Sequence, residues 1–165
     1  MGTIVRCLEC DTGYRAAVVT GDEHRKLYQN EAIMETPFYL ANKMALDPKV
    51  EPMPTFARGL RRLGELRTPG RLLDVGCSYV AFMLLVQSAG LKTSGVELSK
   101  SVAHFARDER HLDVFTATVE QAAYPERYFD AVTLWDVIEH LDDPVSTMAE
   151  IHRIMAPGES CCLHD

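Results

Sequence analysis

The run Arg71-Leu-Leu-Asp-Val-Gly-Cys-Ser-Tyr79 constrains this chain more than any other stretch: a short apolar strand carries an acid, ends in a glycine, and is followed at once by an apolar, helix-forming segment. Strand, turn and helix in that order are the unit from which open α/β sheets build a nucleotide-sized crevice. Gly76 permits the sharp turn because it tolerates dihedrals that a Cβ forbids, and the following helix offers amide groups beside the crevice. Glu97, 21 positions beyond Gly76, closes the next strand-like run, Thr93-Ser-Gly-Val-Glu97. An acid at that distance is where a nucleoside-binding βαβ unit places its acceptor for ribose hydroxyls.

A dinucleotide would use the same spacing, as in a nicotinamide oxidoreductase, but its loop needs three glycines so that backbone can approach a pyrophosphate. Ser78 and Val80 stand where the second and third would be. Asp74 argues the same way, because a carboxylate at the end of the first strand repels phosphate and suits an ammonium or sulfonium group. S-adenosylmethionine carries both.

Four segments, Leu73-Asp-Val-Gly-Cys-Ser-Tyr79, Gly95-Val-Glu-Leu-Ser99, Tyr128-Phe-Asp130 and Leu134-Trp-Asp-Val-Ile-Glu-His-Leu141, resemble in order and separation the motifs of class I S-adenosylmethionine-dependent methyltransferases. The resemblance covers about residues 70–160. Asp136-Val-Ile-Glu-His140, with Asp143-Pro144 and Pro157-Gly158 after it, is most similar to the ubiquinone-biosynthesis and small-molecule methyltransferase branch. It implies S-adenosylmethionine as cofactor, S-adenosylhomocysteine as product and a small-molecule methyl acceptor. It also implies roles. Glu97 would accept hydrogen bonds from both ribose hydroxyls, with Leu98 beside it. Main-chain groups around Gly76, Cys77 and Ser78, closed off by Tyr79, would face the methionine portion, with Asp74 favouring its amino group. Thr118 and the Val119 amide would read adenine, and Leu134 and Trp135 would line the methionine side, although Trp135 also reads as core filling. His140 is the candidate base, since imidazole titrates near neutrality; the competing reading has it hydrogen-bonding a helix end. No catalytic metal is implied.

Val80 departs from the family loop, which usually has glycine there, and a branched side chain resists positive φ. Either the loop runs with ordinary dihedrals and an altered pocket, or cofactor affinity suffers and the chain is a degenerate binding or interaction protein of the same fold.

Composition fits one globular domain. At 165 residues and 47% hydrophobic content the chain buries one sizeable core. Acids outnumber bases 24 to 17, for a net charge of −7, and there is no long basic run, which argues against a nucleic-acid partner. No apolar stretch reaches the ~20 residues needed to cross a bilayer, and no signal-like segment opens the chain, so a cytoplasmic protein without a membrane partner is expected. Cysteines at positions 7, 10, 77, 161 and 162 are odd in number and read as reduced thiols. Cys7-Leu-Glu-Cys10 is similar to one knuckle of a zinc ribbon; two thiolates fall short of the four ligands structural zinc wants, and free thiols are the other reading.

The predicted fold is a Rossmann-like parallel sheet with helices on both faces. Residues 1–54 read as an amino-terminal extension and helical cap, with a short strand at 16–19 and helices within 24–46, the second opened by Pro37. Residues 55–165 read as the cofactor-binding domain. It opens with a helix marked by Phe56, Leu60, Leu63 and Leu66, ended by Thr68-Pro-Gly70. Then come strands at 71–75, 92–97, 112–116, 129–134 and 160–163 and helices at 80–89, 100–109 and 144–155. Ser99 and Asp142 or Asp143 are expected caps, and Val145, Met148, Ile151 and Met155 the buried stripe of the last helix. Aromatic residues of the cap, Tyr28, Phe38 and Tyr39, are placed either over a small, partly apolar acceptor or against the sheet. Relative to the usual seven-stranded sheet the last strands are absent, which predicts a homodimer through the edge strand Glu159–Leu163, a truncated chain being the alternative.

Overall fold

The computed structural model describes residues 4–15, 21–28, 30, 32, 35–44, 46–47, 51–64 and 70–164. Strands β1 (Ile4–Arg6) and β2 (Gly13–Arg15) pair as an antiparallel hairpin, and helices α1 (Gly21–Tyr28), α2 (Pro37–Met44) and α3 (Pro54–Gly64) follow. Then β3 (Arg71–Val75), α4 (Ala81–Ser88), β4 (Lys92–Val96), α5 (Lys100–His104), β5 (Asp113–Phe115), β6 (Phe129–Trp135), α6 (Pro144–Ile154) and β7 (Met155–His164) alternate. The order β5-β4-β3-β6-β7 is parallel throughout. Because the chain runs outward from β3 in one direction and returns to its other side with β6, the crevice at the strands' carboxyl ends lies at β3.

Strand β3 sits at the centre because its residues are apolar on both faces; Leu72 and Leu73 are wholly buried. Leu73 and Val75 pack with Val132, Leu134, Ile151 and Ile154 on one face. On the other, Leu72 meets Phe56 and Leu63 of α3 and Phe82 and Val86 of α4. Each such side chain contributes roughly 1.5–3 kcal/mol by leaving water. Gly59 of α3 is a close approach: a Cβ there would stand 2.6 Å from the Trp135 ring, so the helix lies directly against the end of β6.

Several boundaries differ from the sequence reading. The helix at 100–109 is α-helical only to His104 and continues as a π-helical turn, Phe105–Glu109. Strand β7 starts at Met155, directly after α6. Its pairing with β6 breaks between Phe129, opposite Met155, and Ala131, opposite Ser160, so Pro157 and Gly158 (φ 85°) form an irregularity inside the strand. With α6 ending at Ile154, its buried stripe is Thr147, Ile151 and Ile154, and Val145 is exposed. The caps are as expected: Ser99 Oγ accepts from the Val102 amide at 3.4 Å and Asp143 Oδ1 from the Ser146 amide at 3.0 Å, with Pro144 in the first turn. Pro37 opens α2. The strand expected at 16–19, and Leu66, Thr68 and Pro69, lie outside the described residues.

Among the described residues no helix is long and apolar enough to cross a membrane, and no group of three or more His, Cys, Asp and Glu is gathered for a metal. Cys7 and Cys10 lie on the turn of the hairpin, where the Cys7 amide donates to the Thr12 carbonyl and the Cys10 thiol to Thr12 Oγ1 at 3.3 Å. Cys7, Cys10 and Cys77 are free thiols.

Val80 caps α4 in the left-handed region, φ 60° and ψ 18°, so the loop does not run with ordinary dihedrals, one of the two alternatives open from the sequence. Its side chain is wholly buried against Cys77, Met83, Ala103 and Val114, and it does not line the crevice. The conformation costs about 1–2 kcal/mol, and the packing of the branched side chain offsets it. Val80→Gly gives up packing but regains that strain, whereas Val80→Ala gives up packing and keeps a Cβ. Urea unfolding should therefore find Val80→Gly no less stable than Val80→Ala, each about 1–3 kcal/mol below the parent.

Candidate active site

A cleft of about 1010 Å³ opens over the carboxyl ends of β3, β4 and β6. Its inner wall is the turn after β3. Gly76 adopts φ 70°, and a Cβ there would meet Val137 Cγ2 at 2.6 Å, so both backbone conformation and space exclude a side chain. Ser78 (φ 46°) is also left-handed, which folds the turn tightly over the end of β4.

Four amides of the turn, those of Gly76, Cys77, Ser78 and Val80, already have acceptors. Gly76 and Cys77 donate to the Val96 carbonyl at 2.9 and 3.2 Å, and the Val80 amide to the Cys77 carbonyl at 2.8 Å. The Ser78 amide donates to Glu97 Oε2 at 3.0 Å, and the Ser99 amide to Glu97 Oε1 at 2.8 Å. Gly76, Cys77 and Ser78 thus line the cleft with their amides already bonded, so what their backbone leaves for a ligand is carbonyl rather than amide groups. A turn with four amides engaged offers fewer donors to a phosphate, and it also presents the Ser78 hydroxyl, buried and without a hydrogen-bond partner.

Two carboxyl groups are buried in this wall. Glu97, 8% exposed, is pushed above the usual carboxylate range by burial, against the pull of its amide donors at Ser99, Ser78 and Leu98. A carboxylate has about four acceptor positions, and two direct amides leave others open to the cleft. Asp74, 1% exposed, is pushed up to about 7 by burial and by the Glu97 charge, while a hydrogen bond from Thr133 lowers it. Thr133 Oγ1 donates to Asp74 Oδ1 at 2.7 Å. Burial also pushes the Cys77 thiol well up, so it stays protonated.

The cleft gathers almost every residue named from the sequence: Asp74, Gly76, Cys77, Ser78, Tyr79, Glu97, Leu98, Thr118, Val119, Trp135 and His140 all line it. Leu134 does not. Neighbouring strand residues point to opposite faces, so with Trp135 turned to the cleft Leu134 is wholly buried in the core beside Val132 and Ile151. Trp135 meets both of its readings, since it lines the cleft and packs edge-on against Phe82 and Phe56 at 4.8 and 5.3 Å. The Thr118 hydroxyl accepts the Gln121 amide at 3.3 Å, which leaves its proton free to donate.

The outer half of the cleft is aromatic. His140 ends a short 3-10 turn, Ile138–His140, is half-exposed, faces Tyr28 edge-on at 6.0 Å, and has Nε2 3.9 Å from Glu139 Oε1. Tyr28 and Tyr39 come from α1 and α2, so the cap reaches over the cleft; burial, and then the Glu97 charge, push both phenols up. Met53 and Phe56 close the same side. Tyr39 also packs beside Tyr79 and Val102, so this aromatic residue serves cleft and core together. The side chain of Phe38 lies outside the described residues. Thr133 was not marked by the sequence, because a threonine inside Phe129–Trp135 reads as one more strand former.

Comparison with known proteins gives the family and the fold. A family model described as a methyltransferase domain matches residues 52–165. The ubiquinone biosynthesis O-methyltransferase of Aromatoleum aromaticum is 32% identical over 94 residues, 53% of this chain and 40% of that enzyme. The chain thus spans less than half the length of this curated relative. Among solved structures, a SAM-dependent methyltransferase of Thermotoga maritima described as a possible histamine N-methyltransferase superposes with a TM-score of 0.61 at 21% identity, covering 85% of this chain and 60% of that one. One from Archaeoglobus fulgidus gives 0.59 at 20% identity, covering 76% and 57%. At these identities the superpositions speak for the fold.

Folded, Asp74 keeps a proton at pH values where the unfolded chain, with its ordinary value of 3.8, has lost it. Unfolding therefore releases a proton between about pH 4 and pH 7, and stability falls as pH rises through that window. Asp74→Asn should flatten this slope and raise the urea midpoint at pH 8. A variant that keeps the parental slope shows that Asp74 is not its source.

Proposed function

Because the chain belongs to the methyltransferase-domain family, we propose that it transfers a methyl group from S-adenosylmethionine to a small, partly apolar acceptor. The observation that carries this reading is the buried Glu97 carboxylate, held by the Ser78 and Ser99 amides at the mouth of the β4 strand, with acceptor capacity left toward the cleft. A ribose with two adjacent hydroxyls meets that requirement. The unpartnered Ser78 hydroxyl and the buried Asp74 fit the polar and cationic ends of a methionine moiety, and the turn's spent amides disfavour a pyrophosphate. When bound, the cofactor supplies a methyl group on a positively charged sulfur, which makes that carbon electrophilic. The chain's own residues then bind, orient and exclude water.

In this reading Glu97 fixes the sugar, Thr118 and Val119 the base, and Asp74 the ammonium group. Tyr28, Tyr39, Met53 and Phe56 hold the acceptor against Trp135. His140 takes the acceptor's proton on its imidazole, and the resulting cation faces Glu139. Positioning the acceptor in line with the methyl group supplies much of the rate. The alternative of a degenerate, non-catalytic relative rested on Val80 and on the short carboxyl end; of these, the Val80 side chain lies in the core rather than in the cleft. Residues 1–54 act as the cap and 55–165 as the cofactor domain. Free thiols suit a cytoplasmic setting, the acidic balance argues against nucleic acid, and β7, paired on one side among the described residues, is the surface through which two copies would associate.

Calorimetry with S-adenosylhomocysteine should give micromolar binding to the parent protein. Glu97→Gln, which keeps the shape but loses one acceptor, should weaken it at least tenfold; unchanged affinity refutes the ribose assignment. In a methyl-transfer assay, His140→Asn should lower kcat by about 10²–10⁴-fold and leave S-adenosylhomocysteine affinity within about threefold.

A further inference from the structure

We propose that Thr133 is a positioning residue of this site: its buried hydroxyl fixes the Asp74 carboxyl to receive the cationic end of the ligand, and the pair couples ligand capture to release of a proton. The proposal rests on the reading of the cleft as an S-adenosylmethionine site. Asp74 and Thr133 stand opposite each other in the β3–β6 register, one step before the strands open into the cleft. Thr133 is wholly buried, and its one hydroxyl proton has two acceptors within reach, Asp74 Oδ1 at 2.7 Å and the Leu73 carbonyl at 3.4 Å. The shorter contact, to the group that can carry charge, wins.

Valine would fill this place at no loss of packing, since the strand around it is Ala131, Val132 and Leu134. A buried hydroxyl is costly unless it is bonded, and its partner here is the one acid of β3. The titratable groups facing Asp74 are Glu97 from the end of β4 and Cys77 from the turn; β6 contributes only the neutral Thr133. Glu97 disfavours a second charge beside it, and the thiol stays neutral. Near neutral pH the empty site therefore holds the Asp74 carboxyl between its two forms, and Thr133 pulls it toward the ionised one. An arriving ammonium completes that shift: the O–H bond of Asp74 breaks, its proton passes to the buffer, and the ligand keeps its own protons.

The test is calorimetric titration of the whole protein with S-adenosylhomocysteine from pH 6 to 8.5, in two buffers of different ionisation enthalpy, for the parent, Thr133→Val and Thr133→Ser. The parent should release a proton on binding and lose affinity about tenfold per unit below pH 7. Thr133→Val should bind about tenfold more weakly at pH 7, the size of a lost hydrogen bond to a charged group, with its inflection moved about one unit higher. Thr133→Ser, which keeps the hydroxyl, should restore both. An unmoved inflection in Thr133→Val, or an equal loss in both variants at every pH, overturns the proposal alone. Failure of the parent to bind overturns the reading of the cleft and this proposal with it.

Discussion

The Glu97 carboxylate is the contact on which the site depends. One oxygen takes the amide of Ser78, in the turn after β3, and the other takes the amide of Ser99, which caps α5. A single side chain thus joins the two βα turns that border the crevice and sets how far apart they stand. Burial of this carboxyl group is offset in part by amide donors that replace the water it has lost.

That arrangement determines the electrostatics of everything nearby. With the carboxyl groups of Glu97 and Asp74 both buried at the ends of neighbouring strands, the cleft's inner wall is poor in positive charge, and its turn has committed four amides to Val96, Cys77 and Glu97. An anion would find few donors. A cation with hydroxyl groups attached finds a carboxylate, a titratable acid and an unpartnered serine hydroxyl. The outer cleft differs in kind, since Tyr28, Tyr39, Phe56 and Trp135 present apolar faces and His140 the basic nitrogen among them. One half of the cavity is acidic and polar, the other aromatic.

The strained turn shows how such a site is held. Gly76, Ser78 and Val80 all have positive φ, and only the first is free of a steric cost. Val80 stays there because its side chain is locked among Met83, Ala103 and Val114, so packing on the far side of the turn maintains the backbone shape on the cleft side. Stability and ligand geometry are in this way supplied by opposite faces of the same five residues.

Much of this was legible before any coordinates. The apolar run at 71–75, the glycine after it and the acid 21 positions further on determine a parallel βαβ core and the place of its crevice, because strand burial, turn sterics and helix length leave that spacing few other solutions. Local chemistry also determined the caps at Ser99 and Asp143 and the start of α2 at Pro37. Other features needed the folded chain. Whether Val80 would face ligand or core depended on the sign of φ. Whether the turn's amides were free depended on the distance to Val96 and Glu97. Leu134 and Trp135 were both expected at the cleft, and strand alternation sends only Trp135 there. Thr133 gained its meaning from the register of β6 against β3, a pairing between residues 59 positions apart. Sequence by itself determined the elements and their order, which follow from neighbours along the chain; tertiary structure alone decided which polar groups meet, since a hydrogen bond is made across space and no periodicity records its partner.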